Sequence, residues 1–141
     1  MNMRKIPVIL DADTGIDDTM ALLICATSSK LDVLAAVSTF GNTTIDYATQ
    51  NTMDVLALCG RQDIAVGMGA DRPWKKKLRT SPYIHGVNGI GEYQMPEHHR
   101  EALSPLPAWD LAYEKIMACP EKVTYVALGS LTNVANLFCK H

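Results

Sequence analysis

The segment IPVILDADTGIDD, at residues 6–18, carries most of the structural information in this chain. It begins with a continuous apolar run at residues 6–10, which is typical of a β-strand buried on both faces. A polar turn follows at residues 11–15, and apolar side chains then recur at helical spacing, which predicts a helix over residues 17–28. A buried strand, a polar turn and an amphipathic helix together predict the first unit of a parallel α/β sheet.

The alternation of strand and helix continues along the chain. The further strands are predicted over residues 31–39, 64–66 and 123–128, and the further helices over residues 45–59 and from Leu131 onward. Residues 67–106 interrupt this rhythm with prolines and glycines, and we interpret them as a long loop with a helical turn at most. The pattern predicts an α/β fold with an open, mostly parallel sheet and flanking helices.

Length and composition limit the class of protein. The chain has 141 residues, 48% of them hydrophobic and 20% charged, with a net charge of −2. Because domains run to roughly 100–200 residues, we expect one α/β domain over residues 1–141. The balanced charge predicts no nucleic-acid partner, and no apolar run reaches the roughly 20 residues that span a membrane. Residues 1–5 lead straight into the first strand, so we expect no secretory signal.

Cysteine and histidine usage bears on compartment and metal binding. The four cysteines, at positions 25, 59, 119 and 139, form no C-x-x-C pair. This usage favours reduced, buried thiols in a cytoplasmic protein over a zinc site or a disulfide framework. The His98–His99 pair is either a metal site or a polar loop cluster, and the lack of a ligand at fixed spacing favours the loop cluster.

Four aspartates crowd the polar turn and the first helical turn after it: Asp11, Asp13, Asp17 and Asp18. Neighbouring like charges repel one another unless a cation compensates. Helix capping and solvation account for one or two of these aspartates but not for all four. A hard divalent cation is the natural remaining partner, because calcium and magnesium prefer oxygen ligands. Parallel sheets also bind ligands beyond the carboxyl ends of their strands, which is where this cluster lies.

Two other acidic patterns fit less well. An EF-hand loop that starts at Asp11 needs Gly at its sixth position and Glu at its twelfth, and this chain has apolar residues at both. The D-x-D-x-T/V pattern of haloacid-dehalogenase-type phosphatases matches Asp11 and Asp13 but departs at its fifth position, Gly15. A magnesium-dependent phosphatase with Asp11 as nucleophile remains an alternative.

Four motifs resemble those of the inosine–uridine-type nucleoside hydrolases. The aspartate cluster DADTGIDD at residues 11–18 is similar to the family signature and is highly specific. The other three follow in family order: GN at residues 41–42, HGVNG at residues 85–89 and LGSLTN at residues 128–133. The chain departs from the family pattern at Thr14, where proline is usual, and at Asn88, where aspartate is frequent. The resemblance extends over nearly the whole chain and corresponds to the N-terminal half of family members.

The resemblance implies a Rossmann-like nucleoside hydrolase architecture, truncated after its N-terminal half. It also implies calcium-dependent hydrolysis of the N-glycosidic bond of ribonucleosides, which gives ribose and free base. By motif position, Asp13, Asp17 and Asp18 would bind calcium (Ca2+) together with the backbone carbonyl of Leu128. A non-catalytic remnant of the family is the alternative, because the second half of family members supplies further ligands.

The resemblance also implies roles in substrate binding and catalysis. Asp13 would be the general base, Asn42 would hydrogen-bond the ribose hydroxyls, and Asp17 would also bind the substrate. His85 would line the pocket as a catalytic and substrate-binding residue, while Asp11 would brace the turn. The expected partners are a small ribonucleoside and further copies of the same chain, since members of the family commonly form homo-oligomers.

Overall fold

Strands and helices alternate along residues 4–141, the part of the chain that the computed structural model describes. Residues 1–3, which belong to the segment for which we expect no secretory signal, lie outside the described part. The strands are β1 (Ile6–Ala12), β2 (Leu31–Ser38), β3 (Val66–Gly67) and β4 (Thr124–Ala127). The helices are α1 (Ile16–Thr27), α2 (Ile45–Leu58), α3 (Pro82–His85), α4 (Ala108–Ala118) and α5 (Thr132–Lys140).

The strands form one open parallel sheet in the order β3-β2-β1-β4. This confirms the predicted fold class. The chain moves outward from β1 to β3 and then returns to the opposite side of β1, so the strand order reverses between β1 and β4. Open α/β sheets bind ligands outside the carboxyl ends of their strands at such a reversal. The topology therefore predicts a ligand-binding site among the residues that follow β1 and β4.

The central strand β1 packs against helices on both of its faces. Val8 and Leu10 belong to an apolar cluster with residues of α1 and α2. Ile9 points to the other face, where it packs with residues of α4 and α5. Side chains alternate between the two faces of a strand, so a strand covered on both faces needs the uninterrupted apolar run that the sequence shows.

Two elements differ from the sequence prediction. The third strand is Val66–Gly67 rather than residues 64–66, because the Ile64 amide donates to the Arg61 carbonyl in the turn after α2. Helix α4 was not predicted at all. Its buried face consists largely of Ala108 and Ala112, and small side chains give a weak helical pattern. The helical turn predicted within the long loop is confirmed as α3.

The prediction of buried cysteines is wrong. Three of them are partly exposed and Cys139 is exposed, and all four are free thiols. The physical reason is their position, since Cys59 and Cys119 lie just past the ends of α2 and α4. Among residues 4–141, the structure shows no helix long and apolar enough to span a membrane.

Candidate active site

Asp13 and Asp18 lie together at the carboxyl end of the sheet. Asp13 directly follows β1 and Asp18 lies in the first turn of α1, and their residues are only 8% and 5% exposed. Asn42, which follows β2, bridges the two carboxylates. Its backbone amide donates to Asp13 Oδ2 at 2.6 Å, and its side-chain Nδ2 donates to Asp18 Oδ2 at 2.9 Å. Asp18 Oδ2 also accepts the Gly15 backbone amide at 3.1 Å, as half of a capping box does.

The environment of the Asp13 carboxylate disfavours negative charge. Loss of solvation raises the pKa of Asp13 to about 6, and the charge of Asp18 adds to the rise, whereas the Asn42 amide opposes it. Within the described part of the chain, no Lys or Arg forms an ion pair with either carboxylate. Two buried carboxylates without a basic partner provide hard oxygen donors for a cation.

The donor set is incomplete as the side chains stand. In residues 4–141, no three His, Cys, Asp or Glu side chains are grouped so that they could hold one metal ion. Asp17, the third predicted ligand, has a side chain that is 80% exposed and points away from the pair. The remaining oxygens of a bound cation would have to come from main-chain carbonyls, from the substrate or from water.

Two glycines leave room for the Asp13 carboxylate. A Cβ at Gly41 would collide with Asp13 Oδ2, and a Cβ at Gly129 would lie 2.7 Å from Asp13 Oδ1. The main chain at the end of β4 therefore passes close to Asp13. Leu128 directly precedes Gly129, and its amide donates to the Asp11 carbonyl at 2.8 Å. The structure thus brings the predicted ligand Leu128 into the same corner of the sheet.

His85 lies beside the N-terminus of α1, at the edge of the site. Its Nδ1 accepts the Ile16 backbone amide at 3.3 Å, while Asp17 Oδ1 is 3.9 Å from the same nitrogen. The longer distance exceeds hydrogen-bond range. Accepting the Ile16 amide requires a lone pair on Nδ1, which favours the tautomer with the ring proton on Nε2. Gly15 has ordinary extended backbone angles. A Cβ at Gly15 would lie 2.5 Å from Asn42 Nδ2 and 2.8 Å from His85 Nδ1, so a larger residue there would displace both side chains.

Asp11 lies inside β1 and is fully buried, so it does not brace the turn as expected. Its Oδ1 accepts Asn133 Nδ2 at 3.0 Å, and its Oδ2 accepts the Tyr125 hydroxyl at 2.8 Å. Burial raises the pKa of Asp11 to about 6, although both hydrogen bonds oppose the rise. Since both carboxylate oxygens are occupied and shielded, the geometry argues against the phosphatase alternative, in which Asp11 attacks the substrate.

Asn133 is the last residue of the LTN motif, and the sequence predicts no individual role for it. It is fully buried in α5. Its Nδ2 donates to Asp11 Oδ1 and to the Ser38 carbonyl, and its Oδ1 accepts the Ala70 amide at 2.9 Å. One side chain therefore joins the ends of β1 and β2 to the loop after β3. A single asparagine at a strand exit gives no sequence signal for this role beyond the motif itself.

Buried side chains of α2 position the loop that carries HGVNG. Asn51 Nδ2 donates to the carbonyls of Thr14 and Asn88 at 3.1 and 2.8 Å, which ties the loop to the aspartate turn. The Asn88 side chain is used within the loop, where Oδ1 accepts two backbone amides and Nδ2 donates to the Tyr93 carbonyl. Asn88 therefore turns the chain.

The His98–His99 pair is a polar loop cluster, as favoured from the sequence. His98 Nδ1 lies 2.8 Å from Asp54 Oδ2, and the His99 backbone amide donates to Asp54 Oδ1 at 2.8 Å. Gln50 Nε2 donates to the same Asp54 oxygen. These bonds fasten the end of the long loop to the buried side of α2.

Comparison with known proteins places these features in a family context. Residues 8–141 match the family model described as inosine-uridine preferring nucleoside hydrolase. Probable uridine nucleosidase 2 from Arabidopsis thaliana is 35% identical over 130 residues, which are 91% of this chain and 40% of that protein. Non-specific ribonucleoside hydrolase RihC from Klebsiella pneumoniae is 32% identical over 137 residues, which are 97% of this chain and 44% of that protein.

Solved structures show the same likeness. The plant nucleoside hydrolase PpNRh1 superimposes with a TM-score of 0.87 at 34% identity, over 96% of this chain and 43% of that chain. The purine-preferring ribonucleoside hydrolase from Gardnerella vaginalis gives a TM-score of 0.87 at 28% identity, over 95% and 43%. The chain thus spans about two fifths of the length of the curated relatives it matches.

Proposed function

This chain belongs to the inosine-uridine preferring nucleoside hydrolase family, and from that premise we propose that its Asp13–Asp18 site takes part in hydrolysing the N-glycosidic bond of ribonucleosides. The products are ribose and the free base. The observation that carries the proposal is the buried carboxylate pair, bridged by Asn42, at the point where the strand order reverses. Such a crevice is where an open α/β sheet binds a small ligand.

A hard divalent cation, calcium in our proposal, fits this donor set. Asp13, Asp18 and the Leu128 carbonyl would hold it, and Asp17 would join them only after its exposed side chain turns inward. When bound, the cation would offset the carboxylate charge and fix the ribose diol and the attacking water. Carboxylate and carbonyl oxygens are the ligands that calcium prefers, which supports this assignment over a softer metal.

Asp13 is the proposed general base. It accepts a proton from the water whose oxygen attacks C1′ of the ribose, while the bond from C1′ to the base nitrogen breaks. The base leaves with the electron pair of that bond and takes up a proton from solvent, and Asp13 returns its own proton to solvent. Burial raises the pKa of Asp13 to about 6 in the cation-free chain, above the usual value for a carboxyl group, which makes it a stronger base. General-base catalysis of this kind contributes about 10²–10⁴-fold in rate.

The neighbouring side chains are proposed to hold the sugar. Asn42 Nδ2 is bonded to Asp18, which leaves its Oδ1 to accept a bond from a ribose hydroxyl. Cleavage builds oxocarbenium-like positive charge on the sugar, which the neighbouring carboxylates of Asp13 and Asp18 would favour. His85 carries its proton on Nε2 in the favoured tautomer, so it can donate to the substrate from that side.

Calcium titration and ribose release test the proposal. The purified chain is titrated with calcium by calorimetry and assayed for reducing sugar with inosine or uridine, in calcium and in EDTA. We expect micromolar calcium binding that weakens at least 10-fold in Asp18→Asn, together with calcium-dependent ribose release. The matched control is Asp32→Asn, an exposed aspartate near the start of β2, at the far end of the sheet.

The two readouts separate the family alternatives. Binding with turnover supports a hydrolase. Binding without turnover supports the non-catalytic alternative, in which the chain keeps the cation site alone. A chain that binds no calcium at millimolar concentration and releases no ribose contradicts the proposal.

We also propose a cytoplasmic location and a homo-oligomeric state. Four free thiols support a reducing compartment. The homo-oligomeric state is what the family resemblance implies, and sedimentation at several protein concentrations measures it directly. A purely monomeric chain across the concentration range would contradict it.

A further inference from the structure

Tyr125 lies one strand away from the proposed cation site and belongs to none of the motifs. It pairs with Ile9 across the β1–β4 ladder, while Asp11 pairs with Ala127. Alternate residues share one face of a strand, so Tyr125 and Asp11 are diagonal neighbours on the same face. The Tyr125 hydroxyl donates to Asp11 Oδ2 at 2.8 Å, and its ring packs on the apolar cluster of α4 and α5.

Strand β4 has few attachments at its carboxyl end. It is four residues long and, in the described sheet, pairs with β1 only. Two bonds from β4 and the residue after it converge on Asp11, one from the Tyr125 hydroxyl to its side chain and one from the Leu128 amide to its carbonyl. A third comes from Asn133 at the start of α5. Asp11 thus joins β1, β4 and α5.

The position of β4 matters because the space around Asp13 is narrow. Gly129 follows β4, and even a Cβ there would lie 2.7 Å from Asp13 Oδ1. A shift of a few tenths of an ångström in β4 would therefore change how Asp13 faces the Leu128–Gly129 main chain. A strand end that is held by few hydrogen bonds opens locally at a low free energy.

We propose that Tyr125 is a positioning residue, which with Asp11 clamps the end of β4 to β1 and so sets the gap between Asp13 and the Leu128–Gly129 main chain. The clamp rests on the geometry alone. Its consequence for cation binding rests on the proposed function. In this proposal, Tyr125 contacts neither the substrate nor the cation and acts only through its hydrogen bond to Asp11.

The test removes the hydroxyl and keeps the ring. Tyr125→Phe leaves Asp11 Oδ2 buried without its donor. We expect hydrogen exchange of the Leu128 amide to accelerate at least 10-fold, and calcium affinity to fall below that of the wild-type chain. The matched control is Tyr113→Phe on α4, whose ring stacks on His141 at 3.9 Å, and which should change neither quantity.

The outcomes distinguish the clamp from the proposed function. If the wild-type chain binds no calcium but Leu128 exchange is still faster in Tyr125→Phe than in wild type, the clamp is supported and the cation site is contradicted. Unchanged exchange in a folded Tyr125→Phe variant overturns the clamp, whatever the calcium affinity. If Tyr125→Phe fails to fold, hydrogen exchange of the wild-type chain provides the test. Its Leu128 amide must exchange only through global unfolding, and exchange through local fraying overturns the proposal.

Discussion

Asp11, Asp13, Asp17 and Asp18 form one acidic cluster in the sequence, and folding places them in three environments. Asp11 is buried and fully bonded, Asp13 and Asp18 form a buried pair, and Asp17 is exposed. The helix explains the separation. Since α1 begins at Ile16, Asp18 turns back toward the Gly15 amide, whereas the preceding residue points about 100° away around the helix axis. Spacing alone predicts that these carboxylates are near one another but not which of them share a site.

Asp13→Asn should stabilise the cation-free chain at pH 7. Burial raises the pKa of Asp13 to about 6, above the value of about 3.9 expected in the unfolded chain. The stability that the protonated acid contributes is therefore present below about pH 4 and lost as pH rises through about 6. The variant avoids that loss, and its free energy of unfolding at pH 7 should exceed that of wild type by about 1–3 kcal/mol.

Urea unfolding in EDTA measures this difference, with runs at pH 4 and pH 7. The gain should be absent at pH 4, where the wild-type carboxyl is protonated. Asp32→Asn, which alters an exposed carboxyl, should show no gain at either pH. A variant no more stable than wild type at pH 7 would show that Asp13 is not strained by burial.

Gly41→Ala should weaken cation binding, because the new methyl group would displace Asp13 Oδ2. We expect a loss of at least 10-fold in calcium affinity. Gly60→Ala serves as the opposite case. Gly60 has open space around its Cβ position but a φ of +65°, so alanine there should lower stability by about 1 kcal/mol and leave calcium affinity unchanged. Equal calcium affinity in the two variants would show that Asp13 is not part of the cation site.

Strands and helices with strong apolar patterns were predictable from the sequence, and those with weak patterns were not. The run at residues 6–10 predicts β1, because only a strand covered on both faces needs such a run. The strand nevertheless continues to Ala12, where ladder pairing with Ser38 overrides the polar character of Asp11. Helix α4 was not predictable because two of its three buried residues are Ala108 and Ala112, and their small side chains give a weak apolar pattern.

Asp54→Ala should release the end of the long loop from α2. It leaves the His98 side chain and the His99 amide without their buried acceptor, so we expect a loss of about 2–4 kcal/mol in stability. Tryptic cleavage after Arg100 should accelerate as well. Asp46→Ala, on the exposed first turn of the same helix, should leave both quantities near wild type. Unchanged cleavage after Arg100 would mean that Asp54 does not hold the loop.

Across the molecule as a whole, the site exists because the strand order reverses between β1 and β4. The motif residues after each strand were visible in the sequence, but their convergence depends on the return of the chain from β3 to β4. Residues between those strands include the unpredicted α4, so the sequence pattern alone did not establish which strands are neighbours. The hydrogen bonds of Tyr125 and Asn133 to Asp11 depend on the pairing of β4 with β1, so their roles were not predictable from the sequence. Contacts across a reversal are long-range, and local patterns carry no information about them.

Calcium should reverse the stability order of wild type and Asp13→Asn. A ligand that binds only the folded chain stabilises it by about 2.7 kcal/mol at 100 times its Kd, which corresponds to a rise in Tm of roughly 5–15 °C. In EDTA at pH 7 the variant should melt above wild type, since it lacks the buried charge. In saturating calcium, the Tm of wild type should rise by the full amount, and the Tm of the variant should rise little. Wild type should therefore melt higher than the variant once the calcium-induced stabilisation exceeds the stability gained by Asp13→Asn. Thermal melts with both proteins in both buffers measure the effect. If calcium leaves the wild-type Tm unchanged while the EDTA difference persists, the carboxylates are strained by burial alone, and the fold brings them together without providing a cation site.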